Sequence, residues 1–126
     1  MRLPIICLAT FAALTGCSDS DTSSESLTPD SPTSVAVAAV TSVDCASAAP
    51  SVTVTTPGFR FEPKASTIAV GEVVKFDPGD GHDVVSDVAG QFTVDLGGAA
   101  CFRFDQVGTF GFHCRPHGFT GTIEVQ

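Results

Sequence analysis

The 126-residue chain has no tryptophan, no tyrosine and a single methionine, the initiator Met1. No thioether is therefore available to a site elsewhere in the chain. Positive charge is scarce: six Lys and Arg stand against 14 Asp and Glu, a formal net charge of −8. This balance speaks against a nucleic-acid partner. Acidity favours solubility and basic partners without naming one. Long apolar runs are also missing. The run IICLATFAAL at 5–14 is too short to cross a bilayer as a permanent helix. Between 51 and 126 there is no helical period, no Ser-His-Asp order, no paired acid site and no phosphate loop, so nothing points to an enzyme.

What is present begins with a targeting pattern. Arg2 gives a positive start before the apolar run, as in a secretory leader. The run ends in Leu14-Thr15-Gly16-Cys17, which resembles the lipobox of bacterial lipoproteins. The resemblance implies removal of 1–16 and a lipid on Cys17, which anchors a protein to a membrane without spanning it. Ser18, rather than Asp, follows Cys17. With no inner-membrane retention signal there, the resemblance leans towards the outer membrane in a host that has two. Residues 18–50 are rich in Ser, Thr, Ala, Asp and Pro and contain no Lys, Arg or aromatic residue. We assign 17–50 to the lipidated Cys17 and a flexible tether, which as a coil would reach roughly 30 Å. Within it, Val35–Val43 is apolar enough to dock as an extra strand.

Residues 51–126 form one small domain holding nine of the ten phenylalanines and all three histidines. A core of this size gains from a metal or a disulfide. Its pattern is that of strands. SVTVTT at 51–56 alternates; FRF at 59–61 follows Pro57-Gly58; TIAVGEVVKF at 67–76 reads as two strands broken at Gly71. HDVVS, QFTVD, ACFRF, GTFGFHC and TGTIEV follow, separated by Gly- and Pro-containing turns. Several short strands with turns between them predict an all-β sandwich. Side chains alternate along a strand, so Phe110, Phe112 and Cys114 share a core-facing side. His113 points away and is excluded from a site built around Cys114.

Cys114 and His117 are three residues apart on one tight turn stiffened by Pro116, and His82 lies in a second polar loop, GDGHDVV. Taken singly, each has a plainer explanation: a polar loop histidine, a small buried thiol, or half of a zinc site. Together, two imidazoles and one thiolate are the equatorial set of a blue copper centre. Such ligands are acceptable to both Cu(I) and Cu(II), and a rigid sandwich limits rearrangement as the electron moves. With Cys7 lost in the leader, Cys17 lipidated and Cys114 a ligand, Cys45 and Cys101 remain as an even pair in an oxidising compartment. The expectation is a disulfide that pins the end of the tether to the domain.

The flanking text resembles the cupredoxins of the plastocyanin and amicyanin type over about residues 52–126. GFRFEPKASTIAVGEVVKF is similar to the family's aromatic strand, proline and Val-Gly-Glu turn; GHDVVSD to its first ligand loop; GTFGFHCRPHGF to its Cys-x-Pro-His segment; and TGTIEV to its closing strand. The resemblance implies a cupredoxin-like Greek-key β-sandwich with one copper held by His82, Cys114 and His117. Asp83 stands where the family often has an asparagine that hydrogen-bonds between the ligand loops, beside Pro116. The family's axial methionine is absent. Thr120 occupies its place counted from His117, and Phe119 its place counted from the closing glycine. The implied axis is empty or weak, with Phe119 near it. The resemblance implies a tethered, extracytoplasmic one-electron carrier. Redox proteins would dock around the exposed edge of His117, near Pro116, Gly118 and Phe119. A copper chaperone or buffer is the first alternative, and a metal-free interaction module the second.

Overall fold

The computed structural model describes residues 38–126. The leader, the proposed lipidation site Cys17 and the linker up to residue 37 lie outside the described residues. The described chain has nine strands and no helix: β1 (Val40–Val43), β2 (Val52–Thr55), β3 (Ala65–Ile68), β4 (Val73–Asp77), β5 (Val84–Ser86), β6 (Thr93–Val94), β7 (Ala100–Phe104), β8 (Gly108–His113) and β9 (Thr120–Val125). They form the expected sandwich, with a four-stranded sheet ordered β1-β7-β4-β2 and a five-stranded sheet ordered β3-β9-β8-β5-β6. β2–β4 and β3–β9 pair in parallel, and the remaining pairs are antiparallel.

Alternation drives the packing. In β8, Phe110 and Phe112 are buried while Thr109 is exposed; in β9, Gly121, Ile123 and Val125 face in. Removing these apolar faces from water is the main stabilising term. The core is largely aromatic. Phe76 lies 5.5 Å from Phe92, 6.2 Å from Phe102 and 5.1 Å from Phe112 between ring centroids. Such offset and edge-on pairs suit the ring quadrupole. Phe112 opposes Gly121 across the β8–β9 pair. A Cβ at Gly121 would sit 2.5 Å from the Phe112 ring, so only glycine lets β9 pass this close.

Two segments differ from the simplest sequence pattern. β1 falls within the stretch assigned to the tether, yet it pairs with β7 from Val40↔Phe104 to Val43↔Cys101. Val40 joins the core. The apolar character noted over Val35–Val43 is thus realised as an added edge strand at 40–43. The chain then turns so that Cys45 meets Cys101 in the expected disulfide, with a Cα–Cα separation of 5.2 Å that suits the bond. The second segment is FRF at 59–61, expected as a strand. It is a loop, followed by the isolated Thr55↔Glu62 bridge. Gly58 turns the chain with φ +80° just before it, and a cis Glu62–Pro63 bond follows. Phe61 is 1% exposed and Phe59 72% exposed, and neither lies in a paired strand.

Strand registers bring the ends of interest together. Phe76 pairs with Ala100, Val85 with His113, and His113 with Thr120. The β4–β5 and β8–β9 connections consequently emerge at the same pole of the sandwich.

Candidate metal centre

The β4–β5 connection carries His82. Pro78 is fully buried at the start of this loop, and the Thr56 hydroxyl donates to its carbonyl. The loop then folds tightly. The His82 amide donates to the Gly79 carbonyl at 3.3 Å, and the His82 carbonyl accepts from the Gly97 amide at 3.1 Å. His82 is thus fixed through its main chain from two sides. The β8–β9 connection carries Cys114 and His117. Its turn is closed by the Gly118 amide donating to the Cys114 carbonyl at 2.7 Å and the Cys114 amide donating to the Phe119 carbonyl at 3.0 Å. Gly118 adopts φ +76°, the left-handed conformation that glycine takes without steric cost.

Three side chains converge between these loops. Cys114 Sγ lies 3.7 Å from His82 Nδ1 and 3.7 Å from His117 Nδ1. The ligand atoms of the three residues all lie within 4.8 Å of one another. Bonds of about 2.3 Å to sulfur and 2.0–2.1 Å to nitrogen, at angles between tetrahedral and trigonal, separate S from N by about 3.6–3.8 Å. The donor set therefore fits a single ion. A soft thiolate with two imidazoles suits copper or zinc, and not magnesium or calcium. Cys114 is fully buried, His82 half-buried and His117 exposed.

Aromatic rings enclose the imidazoles. Phe119 lies 5.4 Å from the His82 ring and stacks at 6.2 Å on His117. It rests in turn on Phe61 at 4.7 Å. Thr120 begins β9 opposite His113 and is exposed. Of the two axial candidates, Phe119 is the one beside the imidazoles. Phe59 approaches from the outer side, edge-on, at 5.9 Å from His82 and 4.8 Å from His117. Sequence patterning placed Phe59 in a strand and missed this contact. His113 faces away, as parity required, and its Nδ1 lies 2.7 Å from Asp87 Oδ1.

Asp83 is only 1% exposed. Its Oδ1 accepts from the Arg115 amide at 2.8 Å, and its Oδ2 accepts from Arg115 Nε at 2.7 Å. Burial alone would push this carboxyl up. Hydrogen bonds from the Arg115 side chain and main chain, the Arg115 charge and a bond with Cys114 outweigh it, and the carboxyl lies below the usual range. Arg115 was not singled out in the sequence. The only signal was an acceptor-only Asp beside His82, which needs a donor once buried.

No family model matches the chain. It is 32% identical over 72 residues to pseudoazurin from Methylorubrum extorquens, covering 52% of this chain and 49% of the relative. The chain thus spans about half the length of the curated relative it matches. Among solved structures it is similar to amicyanin from Paracoccus versutus, with TM-score 0.54, 22% identity, and coverage of 70% of this chain and 98% of that one. A reduced Cu(I) form of an amicyanin variant matches with TM-score 0.54 and 23% identity, covering 70% of this chain and 99% of the other. At this level of identity the structural likeness establishes the fold.

Proposed function

We propose that this chain, a cupredoxin of the plastocyanin and amicyanin type, holds one copper ion through His82 Nδ1, Cys114 Sγ and His117 Nδ1 and carries single electrons. The observation that carries this reading is the convergence of one thiol and two imidazoles, with 3.7 Å from the sulfur to each Nδ1. Bound copper would supply a one-electron couple. The residues do the rest. Main-chain bonds hold both ligand loops in place, and the buried Cys114 is kept from water. A site that needs little rearrangement between oxidation states exchanges electrons readily.

Support for a docking surface comes from exposure. Arg115, Pro116, His117 and Gly118 are all exposed, and Phe59 and Phe119 contact the His117 ring. This surface, which presents an imidazole edge beside Phe59 and the Arg115 charge, suits brief contact with a redox protein partner. Phe119 lies beside both imidazoles and offers no donor atom; copper held there without a thioether would be favoured as Cu(I). The lipobox at Cys17 supports anchoring of the mature chain, through the linker that follows Cys17, to a membrane outside the cytoplasm. A tether raises the effective concentration of carrier near fixed partners.

The test is an optical and EPR titration of the full-length chain with Cu(II), beside Cys114→Ser. A strong visible thiolate-to-copper band that disappears in the variant supports the reading. If copper enters colourlessly and resists oxidation, the protein is a Cu(I) buffer. Absence of bound copper under either condition overturns the metal site.

A further inference from the structure

The carboxylate of Asp83 is one residue from His82 and is tied to Arg115, which is one residue from Cys114. The two loops that carry the ligands are thus joined through a side chain that is itself nearly sealed from water, at 1% exposed. Both of its oxygens are used: one on the Arg115 amide, one on the Arg115 guanidinium. These bonds span 32 residues of sequence, so they are tertiary and belong to the convergence of the loops.

An amide of the same shape at this position could also accept from the Arg115 main chain. It differs in two respects. It carries no charge, and its NH₂ can donate a hydrogen bond, which an ionised carboxylate cannot do. Asp83 therefore brings negative charge beside the Cys114 thiolate and offers it no donor. Arg115 brings compensating positive charge, but its side chain is 59% exposed while that of Asp83 is 1% exposed. Water screens the exposed cation more effectively than the buried anion. The remaining field is negative at the thiolate and favours the higher oxidation state of a bound ion.

Asp83 and Arg115 join the two ligand loops, and we propose that this positioning pair biases the site towards its oxidised form. The bias rests on the copper reading above; the joining of the loops does not. It opposes the effect of Phe119, which offers no donor beside the imidazoles and would favour the reduced form of a bound ion.

The experiment uses the full-length chain and two substitutions at one residue. Asp83→Asn keeps the acceptor for the Arg115 amide and removes the charge. Asp83→Ala removes both. In the copper-loaded protein held against a fixed redox mediator, Asp83→Asn is expected to shift the oxidised-to-reduced ratio on the order of tenfold towards reduced, with the visible band retained. That equals about 59 mV for a one-electron couple. Arg115→Gln is expected to shift the ratio the opposite way. An unchanged ratio in Asp83→Asn overturns the bias. In the metal-free protein, Asp83→Ala is expected to speed hydrogen exchange at the Arg115 amide about tenfold or more, and Asp83→Asn to leave it protected. Equal exchange in wild type and Asp83→Ala overturns the joining role. The exchange measurement needs no copper, so failure of the copper reading and failure of this pair are separable.

Discussion

In the four-stranded sheet the buried Cys101 is bonded to Cys45 across the β1–β7 edge. In the five-stranded sheet the equally buried Cys114 is a free thiol at the end of β8. Both sulfurs have no exposed surface, so burial does not decide their fate. Neighbours do. Cys101 lies opposite the end of an added strand that delivers a second cysteine. Cys114 lies between two imidazoles carried by separate loops. One cross-link constrains the fold, and the other site is left open to an ion. A single small sandwich thus places its covalent cross-link on one sheet and its candidate metal centre at the end of the other.

The sharpest way to break that comparison is to remove each sulfur. Cys114→Ser should abolish the visible band of the copper-loaded protein. It should also weaken copper binding by on the order of 100-fold or more, because changing residues around a ligand already costs 10–100-fold. The metal-free fold should be nearly unaffected, since a serine at this position replaces a thiol that has no covalent partner. A copper titration followed by absorbance, with a thermal melt of the metal-free protein, checks both. Replacing Cys45 and Cys101 together by Ser should do the reverse. The bond closes a loop of sequence separation 56, for which chain entropy gives about 4 kcal/mol. Denaturant unfolding should report a loss of that order, and the visible band of the copper-loaded protein should stay where it was. A shifted band would show that the staple also positions the metal loops.

Much of this division was legible in the sequence. The strand pattern gave β2, β3, β4 and β7 to β9 nearly in place, because alternation is a local signal and turn residues mark its ends. The cysteine pairing followed from counting thiols. The grouping of His82, Cys114 and His117 was legible because the resemblance and the donor chemistry agreed. Phe59 was not. Phe-Arg-Phe alternates whether or not a partner strand exists, and none lies beside it. Arg115 was equally hidden, since its partner is 32 residues away and nothing local announces a long-range ion pair. β1 could be seen only as an apolar stretch inside a polar tether. Its pairing with β7 depends on a neighbour more than 50 residues on.

The choice between Phe119 and Thr120 sharpens the comparison within the five-stranded sheet. Phe119 touches both imidazole rings, whereas Thr120 is exposed at the start of β9. Phe119→Met would offer a thioether on the side now closed by a ring. It should favour the oxidised form by up to about tenfold, a shift near 59 mV for one electron. Thr120→Met should leave the couple unchanged. A redox titration of both variants checks the assignment, and a response from Thr120→Met alone would reverse it.

The smallest expected effect concerns the stapled sheet, where the disulfide is not the sole link between β1 and β7. Arg103 Nε donates to Asp105 Oδ1 at 2.7 Å, and the Thr41 hydroxyl donates to Asp105 Oδ2 at 3.0 Å. The Arg103 hydrogen bond is the main reason that the Asp105 carboxyl lies below its ordinary value of 3.8; partial burial works against it, and the Thr41 bond and the Arg103 charge assist. A carboxyl with a lowered folded-state pKa stabilises the fold above its unfolded pKa. That contribution is lost as pH falls through the folded value. Asp105→Asn should therefore melt slightly lower than wild type near neutral pH, and the gap should narrow once pH drops below about 4. The effect is small because Arg103 is well exposed and exposed ion pairs contribute little. Melting curves of both proteins across this range test it. A gap that stays constant with pH would assign the link to the Thr41 hydrogen bond and to packing, and would leave Cys45–Cys101 as the main cross-strand constraint on β1.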